Sequence, residues 1–324
     1  MPDPLMPDPQ SQAIHISSTG WETMLEGLIR SGFSVDGTWP MRTERGARSI
    51  GIGTNALASS IVLSCRPRAI DAPLATRREF LAALKRELPD ALRHLQAGNI
   101  APVDLAQAAI GPGMAIFTRY SKVMEADGSS MTVRQALGLI NQMLDEVLAE
   151  QEGEFDPDTR WAVAWFEQFG MEDGPFGEAE TLSRAKNTAV NGLVEAGIIA
   201  ARAGKVRLLK RDELPTTWKR GSAFQADDRR AEGPSPPAHW EVVQHLIRAL
   251  DTGGEVAAGD MLRRLGSVGE AARDLAYRLY NVCERKKWAA EALAYNSLVI
   301  AWPEISKLAR GALTPPQTQE EMFK

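Results

Sequence analysis

The sequence predicts a mainly α chain, with a short α/β segment near its start and a helix-and-hairpin unit in its middle. Three patterns carry that expectation. Apolar residues recur at helical spacing through most of 72–150 and again through 239–309. Two stretches, "FSVDGTWPM" and "LASSIVLSCRPR", alternate or run apolar as strands do. A third, "IIAARAGKVRLLKR", places Ala203-Gly204 between two short β-like runs and reads as a hairpin.

The elements follow in order. The leader "MPDPLMPDPQSQ" has neither a basic nor an apolar block of the secretory kind and reads as disordered over 1–16. Trp21, Met24, Leu25, Leu28 and Ile29 then mark a helix capped by Ser18 or Thr19 and stopped by Gly32. A strand with Phe33, Val35 and Trp39 follows, kinked at Asp36-Gly37, and a second is centred on Ile61 to Cys65 and ended by Pro67. Together they define an α/β segment over 17–70. The edge of "SIVLSC" is left without a partner in this reading, so the piece should be docked on the helices, paired with another chain, or poorly ordered.

A helical region is expected over 71–153. Phe80, Leu81, Leu84, Leu88, Leu92 and Leu95 share one face, Pro102 suits a first helical position, and Thr132 suits a cap before Val133, Leu137, Ile140, Leu144 and Leu148. Over 154–211 the order is helix, two short helices broken near Lys186-Asn187-Thr188, then the hairpin, which is the order of a winged helix. The Pro/Gly-rich stretch 212–238 reads as a linker, 239–310 as a helical domain, and 311–324 as a flexible tail.

Composition removes several functional classes. Of 324 residues, 37 are Lys or Arg and 42 Asp or Glu, a net charge of -5, so no global basic field is available to hold nucleic acid. Cys65 and Cys283 are far apart and form no Cys-x-x-Cys pair, which argues against a zinc or disulfide framework and fits a reducing, cytoplasmic setting. No apolar run approaches the ~20 residues of a membrane helix, so no membrane partner is expected. The four histidines, His15, His94, His239 and His245, lack metal-like spacing and read as surface or cap residues. Gly51/Gly53 and Gly111/Gly113 lack the strand–turn–helix context of a nucleotide loop and read as ordinary turns. "PSPPAHW" and "TPPQ" contain Pro-Pro, but neither gives the polar-Pro-Pro-aromatic tetrapeptide that amino-methylating enzymes use on a flipped base.

The positive signal lies in the winged-helix segment. A recognition helix is expected from roughly Thr188 to Ala196, with only Asn187, Thr188, Asn191 and Glu195 as its polar reach. The wing would offer Arg202, Lys205, Arg207, Lys210 and Arg211, five basic residues within ten positions. Such a set contacts duplex DNA through phosphates and positions it without reading its sequence.

Four stretches carry a resemblance: "STGWETMLEGLIRSGFSVDGTWPMRTE", "GTNALASSIVLSCRPR", "LPDALRHLQAGNIAPVDLAQAAIGPGMAIFTRYSKV" and "LAYRLYNVCERKKWAAEALAYNSLVIAWPEI". Together the chain, from about Ser17 to Leu308, resembles the C-terminal region of the large bacterial adenine-specific DNA methylases associated with anti-phage loci. The resemblance implies that 17–70 is a remnant of a Rossmann-like methylase sheet, a helix plus a strand pair. The family's S-adenosylmethionine loop and Asp-Pro-Pro-Tyr motif would lie upstream of Ser18, so no cofactor-binding or catalytic residue carries over to this chain. The implied function is that of a methylase portion, inactive alone, that orients DNA or docks partners. A separate chain would then supply the missing motifs. Two other readings stay open: a free-standing winged-helix DNA-binding protein, and a helical scaffold without nucleic acid.

Overall fold

The structure, a computed structural model, describes residues 19–41, 60–150, 154–216 and 237–311. The fold is mainly α, with three small sheets among the described residues. Two compact units divide the chain, the first ending at Val147 and the second starting at Leu148. The leader, the loop with Gly51 and Gly53, most of the linker and the tail after Gly311 fall outside the described residues, as do His15, Pro234 to Pro236 and "TPPQ".

In the first unit α1 (Thr19–Arg30) leads through positive-φ Gly32 into β1 (Phe33–Met41), which pairs antiparallel with β2 (Ser60–Pro67). The register shifts between Val35 and Gly37, where Asp36 bulges and accepts a hydrogen bond from Arg66 at 2.6 Å. Two further pieces follow: β3 (Leu74–Thr76) with α2 (Arg77–Ala97), and α3 (Pro102–Thr118) with β4 (Lys122–Met124), which pairs parallel with β3. Thr76 and Glu79 form a reciprocal capping box at the start of α2. Thr132 and Gln135 exchange the same kind of bonds, at 2.8 and 3.2 Å, where α4 (Val133–Glu150) begins.

Among the described residues β2 pairs with β1 alone, and the hairpin is seated on α3. The Val35 amide donates to Thr118 Oγ1 at 2.8 Å, and Thr38 Oγ1 donates to the Ala108 carbonyl at 2.7 Å. Of the three fates open to this piece, docking on the helices is the one observed, and its described residues, 19–41 and 60–70, share a unit with the helices after them. Gly111 and Gly113 correct the sequence reading: they lie inside α3 with Pro112 between them, and neither is a turn. Their use is close approach. A Cβ on Gly111 would come within 2.3 Å of the Thr38 backbone nitrogen, and one on Gly113 within 2.6 Å of Ile140.

The second unit opens with α5 (Pro157–Phe169), capped by Asp156, then β5 (Gly174–Pro175), α6 (Phe176–Lys186) and α7 (Val190–Ala196). The hairpin β6 (Ile199–Arg202) and β7 (Lys205–Leu208) follows, turning through Ala203 and Gly204, both at positive φ. The sheet order is β5-β7-β6. A Cβ on Gly174 would fall 2.5 Å from the Trp165 ring, so glycine is what lets β5 cross the face of α5. A 3-10 turn (Arg211–Glu213) ends this part.

Three long helices complete the unit: α8 (His239–Leu265), α9 (Ser267–Lys286) and α10 (Ala289–Gly311). Helix α8 is bent at Gly254, whose φ of 67° and ψ of -167° no helix accommodates. The division into 154–211, linker and 239–310 does not separate two cores. Phe166 of α5 packs against Trp240 of α8, Tyr295 of α10 and Trp288 just before α10, with ring centroids 5.6, 6.2 and 5.2 Å away. Buried Arg278 adds an ion pair to Glu167 at 2.6 Å. Part of the expected linker is tied down as well, since Leu214 is buried and its carbonyl accepts from Arg248 at 2.7 Å.

Candidate functional site

Asp156 and Thr159 hold the helix-and-hairpin segment to α8. The Asp156 carboxylate accepts from the Thr159 amide at 2.9 Å, from Thr159 Oγ1 at 2.6 Å and from the His239 amide at 3.0 Å, so it caps both α5 and α8. Thr159 Oγ1 in turn accepts from the Trp240 amide at 2.9 Å. Burial pushes the Asp156 carboxyl up, but the bonds from His239 and Thr159 outweigh it and hold it below its ordinary value.

The expected DNA contacts divide into those that reach solvent and those that do not. Helix α7 starts at Val190 with Ala189 as its cap, so Thr188 precedes the helix. That threonine is already engaged: its hydroxyl donates to the Asp158 carboxylate and its amide to the Ser183 carbonyl. Asn187 is exposed and ends α6 in the left-handed conformation, at φ 57° and ψ 47°. Asn191 is exposed on α7.

Two cations remain on the hairpin tip. Arg202 and Lys205 are paired across the turn and exposed, and Lys205 Nζ lies 3.7 Å from Asp173. Arg207 is fixed instead in a two-pronged pair with Glu213, at 2.5 and 2.6 Å. That guanidinium, with the Lys210 amide, holds the Glu213 carboxyl well below the usual carboxylate range. Lys210 is exposed, but it sits beyond β7, where its amide donates to Glu213 at 2.9 Å.

Arg211 turns inward. It donates to Glu291 at 2.6 and 3.2 Å and to Gln244 Oε1 at 3.0 Å, and its guanidinium lies 5.4 Å from the centre of the Tyr295 ring. Gln244 Nε2 completes the network by donating to the Tyr295 hydroxyl at 3.0 Å. Of the five expected cations, Arg207 and Arg211 are taken up by Glu213 and Glu291, while Arg202, Lys205 and Lys210 stay exposed, the first two of them at the hairpin tip.

Among the described histidines, His245 departs from the expected surface or cap role. His94 is exposed, with Nδ1 2.7 Å from the Asp90 carbonyl, and His239 meets Asp156 at the start of α8. His245 is buried, and Arg248 Nη2 donates to its Nδ1 at 3.0 Å, which requires the neutral ring. Burial, aided by the Arg248 cation, lowers its pKa from 6.5 to about 4. The unfolded chain then binds the proton first. Stability is full above pH 6.5 and falls by about 3 kcal/mol as pH drops toward 4. Urea midpoints across this window, compared with those of His245→Gln, check the expectation; the variant should lose most of the slope.

Among the described residues, no group of three or more His, Cys, Asp or Glu side chains is placed to hold a metal ion. No described helix is long and apolar enough to cross a membrane. The thiol of buried Cys283 is pushed up by desolvation.

Sequence reasoning missed the surroundings of Arg211. A cleft of about 730 Å³ opens beside it, lined by Phe166, Phe169 and Trp288 and by residues at the start of α10. Helix α9 stops at Lys286, and Trp288 stands between helices against Gly170. The positive φ of Lys287 was the local clue only the structure supplies.

Fold and site define a mainly helical protein in which a helix-and-hairpin segment and three long helices share one aromatic core. The chain belongs to the family described as a domain of unknown function (DUF8807), whose model matches residues 156–322. No curated protein and no solved structure matches the chain.

Proposed function

We propose that this chain is a non-catalytic, DNA-orienting part of an adenine methylase system, and that Pro157–Leu208 is a winged helix that rests on duplex DNA. One observation carries the reading: the element order helix, strand, helix, helix, hairpin, with the sheet order β5-β7-β6. That arrangement leaves Asn191, Arg202 and Lys205 exposed on α7 and the hairpin tip, where a duplex could meet them. The methylase part rests on the sequence resemblance. No residue of this chain is assigned to S-adenosylmethionine or to methyl transfer in this reading, and a separate chain supplies both.

With two exposed tip cations, the contact is weak and reads no sequence. The charge reversal Arg202→Glu with Lys205→Glu should abolish binding of a labelled duplex at low salt. Arg207→Gln, which removes a cation already held by Glu213, should change it less than twofold, a difference within about 0.5 kcal/mol. Equal binding by the reversed tip and the wild type would refute the DNA reading. The internal pairing of Arg207 and Arg211 favours a second reading, in which this segment docks a protein partner; duplex-independent capture that fails in the Asn191→Asp variant would support it.

A further inference from the structure

The cleft beside Arg211 is walled by rings. Phe166 is fully buried at its base, and Trp288 stands edge-on to it with centroids 5.2 Å apart. Gly170 at positive φ lets Trp288 close in; a Cβ there would lie 3.2 Å from the indole. Phe169 supplies a third ring. The cleft volume, about 730 Å³, is in the range of sites that enclose a small organic ligand.

Charge narrows the ligand class. Arg211 faces the cleft, but Glu291, Gln244 and the Tyr295 ring already engage it. Of the other charged residues lining the cleft, Glu172, Asp212 and Asp251 are exposed carboxylates, with Asp251 acting on Arg211 and Asp212 on Arg207 at longer range, and Lys210 is the one further cation. Aromatic faces with an excess of carboxylates attract a positive group on an apolar stem and repel a phosphate or carboxylate. The Arg211–Tyr295 contact is the same pairing made inside the protein.

We propose that this cleft binds an organic ammonium or guanidinium group carried on an apolar or aromatic stem, with Trp288 against the stem and Glu172, Asp212 and Asp251 facing the charge. The group could belong to a free amine or to a basic side chain of a peptide, and this proposal stands apart from the DNA reading.

Calorimetric titration of the full chain tests it, with phenethylamine and blocked lysine (N-acetyl-lysine methylamide) as probes and phenethyl alcohol as the neutral match. A cationic probe should bind about tenfold tighter than the alcohol, and Trp288→Ala should weaken it about tenfold. The double variant Glu172→Gln with Asp212→Asn changes only exposed side chains and should weaken the cation several-fold while leaving the alcohol unchanged. Tighter binding of phenethylamine assigns the site to free amines, and tighter binding of blocked lysine to a partner's side chain; either upholds the class. Equal binding of amine and alcohol, no binding of either cation, or no effect of the double carboxylate variant would overturn it.

Discussion

Asp156→Ala is expected to lower the unfolding free energy of the second unit by about 3 kcal/mol, the sum of a lost cap and the donors it leaves without an acceptor. One carboxylate serves the Thr159 amide and hydroxyl at 2.9 and 2.6 Å and the His239 amide at 3.0 Å, so its loss frays two helix starts at once. It also frees Thr159, whose hydroxyl oxygen accepts from Trp240. Asp156→Asn keeps one acceptor oxygen and should cost about 1 kcal/mol. Urea unfolding followed by the fluorescence of Trp161, Trp165, Trp240, Trp288 and Trp302 reports on this unit. A loss no larger than that of Asp156→Asn would show that this carboxylate does not hold the two helix starts.

A single methyl group at Gly111 should unseat the β1–β2 hairpin. In an open helix position alanine favours the helix over glycine by about 1 kcal/mol. At Gly111 the added carbon meets the Thr38 backbone nitrogen and side chain at 2.3 Å, and backbone cannot rotate away. We expect Gly111→Ala to cost about 2 to 3 kcal/mol, as overpacking does, and to strip hydrogen-exchange protection from the Ile61, Val62 and Leu63 amides. Gly138→Ala in α4 is the matched control. Nothing lies within 4 Å of the added carbon there, so it should be neutral or stabilising. Intact protection in Gly111→Ala would show that the hairpin is not held by α3.

Local chemistry was legible in the sequence where neighbours along the chain decide the outcome. Pro102 opens α3, Thr132 caps α4, Asp36 bulges from β1, and Ala203-Gly204 turns the hairpin. Contacts between distant residues were not legible. Glycine and proline usually break a helix, so "GPG" at 111–113 read as a turn; their value to the fold depends on Thr38 and Ile140, far away in sequence. Arg211 read as a free wing cation because Glu291, which holds it, lies eighty positions further on. Glu213 lies six residues from Arg207 and could have warned of that pair. The Arg211 cleft was illegible for the same reason, since its walls come from α5, the 3-10 turn, α8 and α10.

The most direct test of the DNA reading is the salt dependence of binding between the purified chain and a labelled duplex of arbitrary sequence. Arg202 and Lys205 together should give a slope of log K against log salt near -2, about 0.9 per phosphate contact, unchanged between duplex sequences. Replacing both with alanine should bring that slope close to zero. No binding at the lowest salt, or a slope that survives the double replacement, would contradict the assignment of the hairpin tip to DNA.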